Sequence, residues 1–293
     1  MKILFIIVST VLITLSCSTE GVKELKSKTV SKKSVNIAKP KGSKKITALN
    51  SDNLKIISST SYDNGISISW LVKGKGEKIQ KGDVILIDYK VTLDNGKIVD
   101  GNHRIKKETI PFVVGFKMQL EGWDLALKNL KIGDFARIKI PSALARGAVG
   151  AKDRKNNWVI PPNSVNYLSI HVVRKMTPTR VIDGTKVYVY EDNSQNKLKF
   201  DKTNAIIFHS VISSESNPFY SNSYRSNSPF TLKFHDKGEW PGLKKALINA
   251  KKADRMYVIV PSQEAYSTAG LEGFVKPNED LFYDILVMDV VKK

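Results

Sequence analysis

Leu120-Glu121-Gly122-Trp123-Asp124-Leu125-Ala126-Leu127-Lys128-Asn129-Leu130-Lys131-Ile132-Gly133-Asp134-Phe135-Ala136-Arg137-Ile138-Lys139-Ile140-Pro141-Ser142 is the stretch on which the fold turns. Leu120, Trp123, Leu127 and Leu130 follow one another at spacings of three, four and three, which places them on one face of a helix. Beyond the turn at Gly133-Asp134, Ala136, Ile138 and Ile140 alternate as they would in a strand with one face on a core.

The stretch comes twice. Shifted by 120 residues, Leu120, Trp123, Leu127 and Leu130 fall on Trp240, Leu243, Leu247 and Ala250, and Gly122, Ala126, Lys131 and Asp134 meet their own kind. Ile138-Lys139-Ile140-Pro141-Ser142 meets Val258-Ile259-Val260-Pro261-Ser262. The offset then drops to 115, because residues 151–158 carry five residues that the second copy lacks; Pro162-Asn163 meets Pro277-Asn278. So many matches with a single gap mark a tandem duplication.

Each unit has one plan: an apolar strand (84–91 and 205–212), polar turns, a short strand, the amphipathic helix, an alternating strand, a long loop and a closing strand. Several strands and one helix predict an α+β domain, a curved antiparallel sheet wrapped around one short α-helix, built twice.

In residue content the units resemble the FKBP family. The first carries Gly82-Asp83-Val84, Asp88-Tyr89, Asp94-Asn95-Gly96-Lys97, Asp100, Gly122-Trp123, Gly133-Asp134, Pro141, Ala145, Gly147 and Val159-Ile160-Pro161-Pro162-Asn163. The likeness covers about 62–176; the second unit, about 178–293, is recognised mainly through the first. It implies two tandem FKBP-like domains. It also implies a peptidyl-prolyl cis-trans isomerase that needs neither cofactor nor metal, its partners being proline-containing polypeptides. The barrier to X-Pro rotation, about 18–20 kcal/mol, is amide resonance. A dry, apolar pocket favours the twisted amide over the planar one.

Carried over by residue, the resemblance makes Trp123 the floor, Tyr89 a wall and Asp100 the orienting carboxylate. Leu120 becomes a wall whose N–H holds the peptide carbonyl, and Ile160 a cover. Val99, Ile110 and Leu168 stand where aromatics are usual, and Arg146 where a tyrosine usually bonds the substrate; with Val159 these complete the expected substrate-binding set. The aliphatic replacements predict a roomier pocket, altered activity and poor macrolide binding. In the second unit Phe219, Phe230, Tyr266, Val275 and Tyr283 fall at pocket positions. At the same offset His209 replaces the wall tyrosine, Tyr220 the aspartate and Leu243 the floor, with Trp240 one turn earlier. A vestigial, inactive pocket follows.

The first residues supply an address. Lys2, the apolar run 3–8, Val11-Leu12-Ile13 and then Ser16 before the only cysteine, Cys17, resemble a bacterial lipobox, although Thr14 and Leu15 depart from it. The run is too short to span a bilayer, which takes about 20 helical residues, and is read as a removed signal, 1–16. Residues 17–60, rich in Lys, Ser and Thr, are expected to form a lipid-anchored basic flexible tether, followed by modules at 61–176 and 177–293. The protein is thus expected on the bacterial cell envelope, membrane-anchored through Cys17.

A net charge of +19 favours an anionic partner, yet the basic residues are spread along the chain without an arginine-rich aromatic stripe, so no nucleic acid is expected. His103, His171, His209 and His235 lack metal-ligand spacing, and Trp158 is expected to pack on the base of its own loop. A noncatalytic peptide-binding lipoprotein and a basic adhesin are the rival readings.

Overall fold

The computed structural model describes residues 47–192, 195–236 and 241–292. The signal, Cys17, most of the tether and Trp240 therefore lie outside the described residues. No helix among the described residues is long and apolar enough to cross a membrane.

The two units are separate antiparallel sheets of seven strands in the same order. The first runs Ser58–Ser61, Ser67–Val72, Phe135–Ile140, Asn166–Lys175, Val84–Thr92, Ile98–Gly101, with Ile110–Val113 also pairing Val84–Thr92. The second runs Arg180–Ile182, Thr185–Glu191, Arg255–Val260, Leu281–Val291, Ala205–Ser214, Ser221–Asn222, with Phe230–Lys233 pairing Ala205–Ser214. Across each sheet lies one seven-residue helix, Glu121–Leu127 or Pro241–Leu247. Leu127, Leu130, Ile138 and Ile140 are fully buried, as are Leu247 and Val260. The fold class read from the repeat is the observed one.

The residues shared by the copies have physical reasons. A Cβ on Gly122 would come within 2.4 Å of Ile140 Cγ2 and 2.8 Å of the Leu144 carbonyl, so only glycine lets the helix approach the sheet this closely. Gly242 is held the same way, 2.6 Å from Val260 Cγ1 and 2.9 Å from Glu264 Cβ. Asp134 gathers the Lys131 and Gly74 backbone N–H groups at 2.8 and 2.6 Å and the Trp70 indole N–H at 3.0 Å. In the second copy Asp254 accepts from the Lys251 N–H at 2.9 Å.

The tether was expected to reach residue 60, but 47–60 belong to the first module. Ala48 is buried and donates its N–H to Asp88 Oδ2 at 2.8 Å. Lys90, only 1% exposed, has its ammonium on Asp52 at 2.7 Å and on the Leu49 carbonyl at 3.2 Å. A buried lysine needs such acceptors. Strand Ser58–Ser61 then pairs with Ser67–Val72. Composition averaged over 17–60 had hidden this clip.

The modules are joined. Tyr188, Tyr257, Ile259 and Phe282 of the second belong to the hydrophobic cluster of the first, and the Phe116 and Phe282 rings lie 5.7 Å apart. The Tyr257 hydroxyl donates to the Pro111 carbonyl at 3.3 Å, and Lys107–Glu191 and Lys81–Glu215 ion pairs cross the junction.

Candidate active site

Helix Glu121–Leu127 begins at Leu120, whose extended backbone (φ −89°, ψ 150°) turns the chain into the pocket. One turn in, Trp123 is 3% exposed and forms an aromatic floor. Phe112 stacks on it at 5.6 Å and 22°, and Tyr89 meets it edge-on at 5.2 Å. The Tyr89 hydroxyl donates to Asp100 Oδ2 at 3.0 Å. Burial raises the pKa of Asp100, opposed by the N–H of Gly101, the Tyr89 phenol and the Arg104 guanidinium. Burial, reinforced by Asp100, raises the phenol well above its usual range, so Tyr89 stays a neutral donor. Arg104 approaches Asp100 at 3.9 Å while donating to the Val99 carbonyl at 2.6 Å.

The pocket above Trp123 is lined by Asp100, Leu120, Arg146 and Ile160, all expected, together with Val91, Gln119 and Asn166. The N–H of Leu120 donates to nothing among the described residues. An unpaired donor beside an aromatic floor is the arrangement a peptide carbonyl requires. The expected extra room is absent, since the pocket measures about 10 Å³, enough for a single water. Phe112 occupies one flank of the tryptophan and Arg146 the rim, so the aliphatic replacements do not enlarge it. Entry of anything larger than a water would require Arg146 and the loop carrying Ile160 to part.

Other expected positions lie elsewhere. Val99 and Leu168 are core residues, 3% and 0% exposed, and neither lines the pocket. Val159 is half-buried and also off the pocket wall. Ile110 and Tyr89 line a neighbouring cavity of about 70 Å³, which shares Asp100 and Gln119 with the first. Its far wall, made of Tyr190, Glu191, Arg255, Tyr257 and Asp284, comes from the second module. Burial pushes the Asp284 carboxyl up to about 6, against the Tyr190 hydroxyl that donates to it at 3.2 Å. Asn166 and Phe112 were missed because an isolated polar residue before a strand and a strand phenylalanine carry no signal of their own. Trp158 covers Gly150 and lies under the Lys152 ammonium, 4.4 Å from its ring centre, yet remains 44% exposed.

In the second module the sequence offset was wrong by one residue along Ala205–Ser214. Tyr89 pairs with Ile170, and the equivalent partner Ile285 faces Ser210, so Ser210 and not His209 takes the wall position. Asp100 faces Val91, and its counterpart facing Ile212 is Ser221 and not Tyr220. Tyr220 thus takes the place of Val99, which had been assigned to Phe219. Phe230 keeps its assignment, facing Phe208 as Ile110 faces Ile87. Tyr220 and Tyr266 are hydrogen-bonded to one another, and Tyr283 is close enough to feel both phenols while only 1% exposed. With Leu243 as floor and Val275 buried, tyrosine fills the space that a client would need.

Comparison with known proteins agrees with this geometry. The family model "FKBP-type peptidyl-prolyl cis-trans isomerase" matches residues 75–173 and 196–288. Arabidopsis thaliana peptidyl-prolyl cis-trans isomerase FKBP53 is 33% identical over 106 residues, 35% of this chain and 21% of the relative. Xenopus laevis FKBP1A is 25% identical over 111 residues, 38% of this chain and 97% of the relative. The first relatives matched, FKBP53 among them, are spanned over only 21–28% of their length. Among solved structures, the three FKBP domains of wheat FKBP73 align with TM-score 0.39 and 20% identity, covering 79% of this chain and 97% of that one. Escherichia coli FkpA aligns with TM-score 0.34 and 27% identity, covering 40% and 51%. With the family pattern matched twice and over well more than half of its length, the chain belongs to the FKBP-type peptidyl-prolyl cis-trans isomerase family.

Proposed function

We propose that the first module catalyses cis–trans isomerisation of X-Pro bonds in polypeptide clients and that the second is a docked, noncatalytic copy. The observation that carries this is the buried Trp123 floor beside the unpaired Leu120 N–H. The prolyl ring rests on the indole, the Leu120 N–H holds the carbonyl, and the surrounding apolar walls exclude water. A planar amide loses hydration there, whereas the twisted amide, with less charge separation, loses less, and the barrier falls. No nucleophile and no proton transfer are needed. The test is prolyl isomerisation by the full chain with and without Trp123→Leu; turnover at the uncatalysed rate in both removes catalysis.

One observation favours a second reading, a peptide-binding module without catalysis: the narrowness of the pocket under Arg146. Peptide binding in calorimetry without any rate acceleration would establish it.

We further propose that the clients are exported proteins met at the bacterial envelope, the chain being anchored through Cys17. The sequence 2–17 supports this. Labelled palmitate should enter the native protein and not Cys17→Ser; equal labelling would remove the anchor.

A further inference from the structure

Within the prolyl pocket two buried polar atoms lack a hydrogen-bond partner, Nε of Arg146 and Oδ1 of Asn166. Buried polar groups are nearly always paired, and a buried donor left unpaired is costly. The Arg146 side chain has no hydrogen bond or ion pair within 4 Å among the described residues, and its electrostatic partner is Asp100. Asp100, however, already holds the Tyr89 hydroxyl and faces Arg104. Around this carboxylate stand two guanidinium groups, which leaves one positive charge uncompensated at the rim.

A guanidinium presents planar, paired donors that match a carboxylate, and such charge-assisted bonds strengthen in a water-poor site. We propose that Arg146 selects clients with an acidic residue, Glu or Asp, directly flanking the proline. Bound this way, the client carboxylate takes the unpaired N–H and neutralises the excess charge. The Asn166 amide, rotated half a turn, donates its NH2 to the same carboxylate. Arg146 is thereby a specificity residue, moved aside and then engaged by the correct client, which also opens the narrow pocket.

This selectivity rests on the proposed isomerase reading, and the experiment separates the two. The full chain is assayed with peptides carrying Glu-Pro, Pro-Glu, Leu-Pro and Lys-Pro. Expected is kcat/KM for one of the Glu peptides about tenfold above Lys-Pro, mostly through KM, a ratio that shrinks with salt. Arg146→Gln should bring the ratio close to one whatever happens to the absolute rates; Arg146→Lys should keep part of it, and Asn166→Leu should lower it less. Glu and Lys peptides turned over alike, or a preference that survives Arg146→Gln, overturns the inference while leaving the isomerase intact. If no peptide is turned over, the isomerase reading fails, and calorimetric binding of the same peptides decides Arg146 by the same ratio.

Discussion

The two modules share a sheet order, a helix and a buried glycine, yet differ at the place where a client would lie. In the first, the buried Trp123 borders a small pocket closed by Arg146 and Ile160, and the Leu120 N–H is unengaged. In the second, Leu243 replaces the indole, Tyr220 and Tyr266 supply one another's hydroxyl partner, and the buried Tyr283 lies beside both. A fold can therefore be kept by its packing after its site has been filled from within. What the second copy retains, it spends on the junction, where Tyr257 and Phe282 extend the core of the first.

The largest expected effect is on that difference. Trp123→Leu makes the first floor like the second and should lower kcat/KM on the order of a hundredfold, about 3 kcal/mol of transition-state stabilisation. The reverse change, Leu243→Trp, should create no turnover because the tyrosines still occupy the space. Activity gained by Leu243→Trp in the isomerase assay would break the comparison.

Next comes the shared glycine. Gly122→Ala should destabilise the protein by about 2–3 kcal/mol, since backbone as well as side chain must move. Gly242→Ala, whose two nearest neighbours are side chains, should cost somewhat less. Urea midpoints of the two variants measure the order.

Asp284 supplies a contrast in pH. Ser169 stands at the corresponding place of the first module, each facing its sheet neighbours on equivalent strands. The folded-state pKa of Asp284, about 6, lies above the ordinary carboxyl value of 3.8. The folded state therefore binds this proton more tightly than the unfolded state, and the group's contribution to stability rises as pH falls from 7 towards 4. Relative to Asp284→Asn, the native protein should gain on the order of 2 kcal/mol over that range. Equal pH dependence of the two urea midpoints would remove the effect.

The smallest effect concerns the turn after the helix. Gly133 has φ +90°, whereas the second copy places Ala253 there at φ +68°. Ala253→Gly should relieve a left-handed alanine and stabilise by about 1 kcal/mol, read from the thermal midpoint.

The fold was legible because its signals are redundant. Helix spacing, the glycine at the helix–sheet approach and the aspartate that gathers backbone N–H groups all occur twice. The pocket was legible only in part. Trp123, Asp100, Leu120, Arg146 and Ile160 converge as expected, while Val99 and Leu168 serve the core. In the second copy a constant offset hid a one-residue change of alignment between Ala205–Ser214 and the helix. Since neighbouring strand residues point to opposite faces, that slip exchanged His209 with Ser210 and Tyr220 with Ser221. The junction was illegible for another reason. Tyr257 and Phe282 have the same alternation whether they meet their own core or that of the neighbour.

The clip at Lys90 has a mechanical consequence. Thr47–Asp52 is fastened to the strand Val84–Thr92 through Ala48, Leu49 and Asp52. A pull arriving along the chain from the N-terminal side meets these bonds before it reaches Ser58–Ser61, the sheet's outermost strand. The load is shared with the strand that carries Tyr89, next to the candidate site, and the edge is spared from peeling.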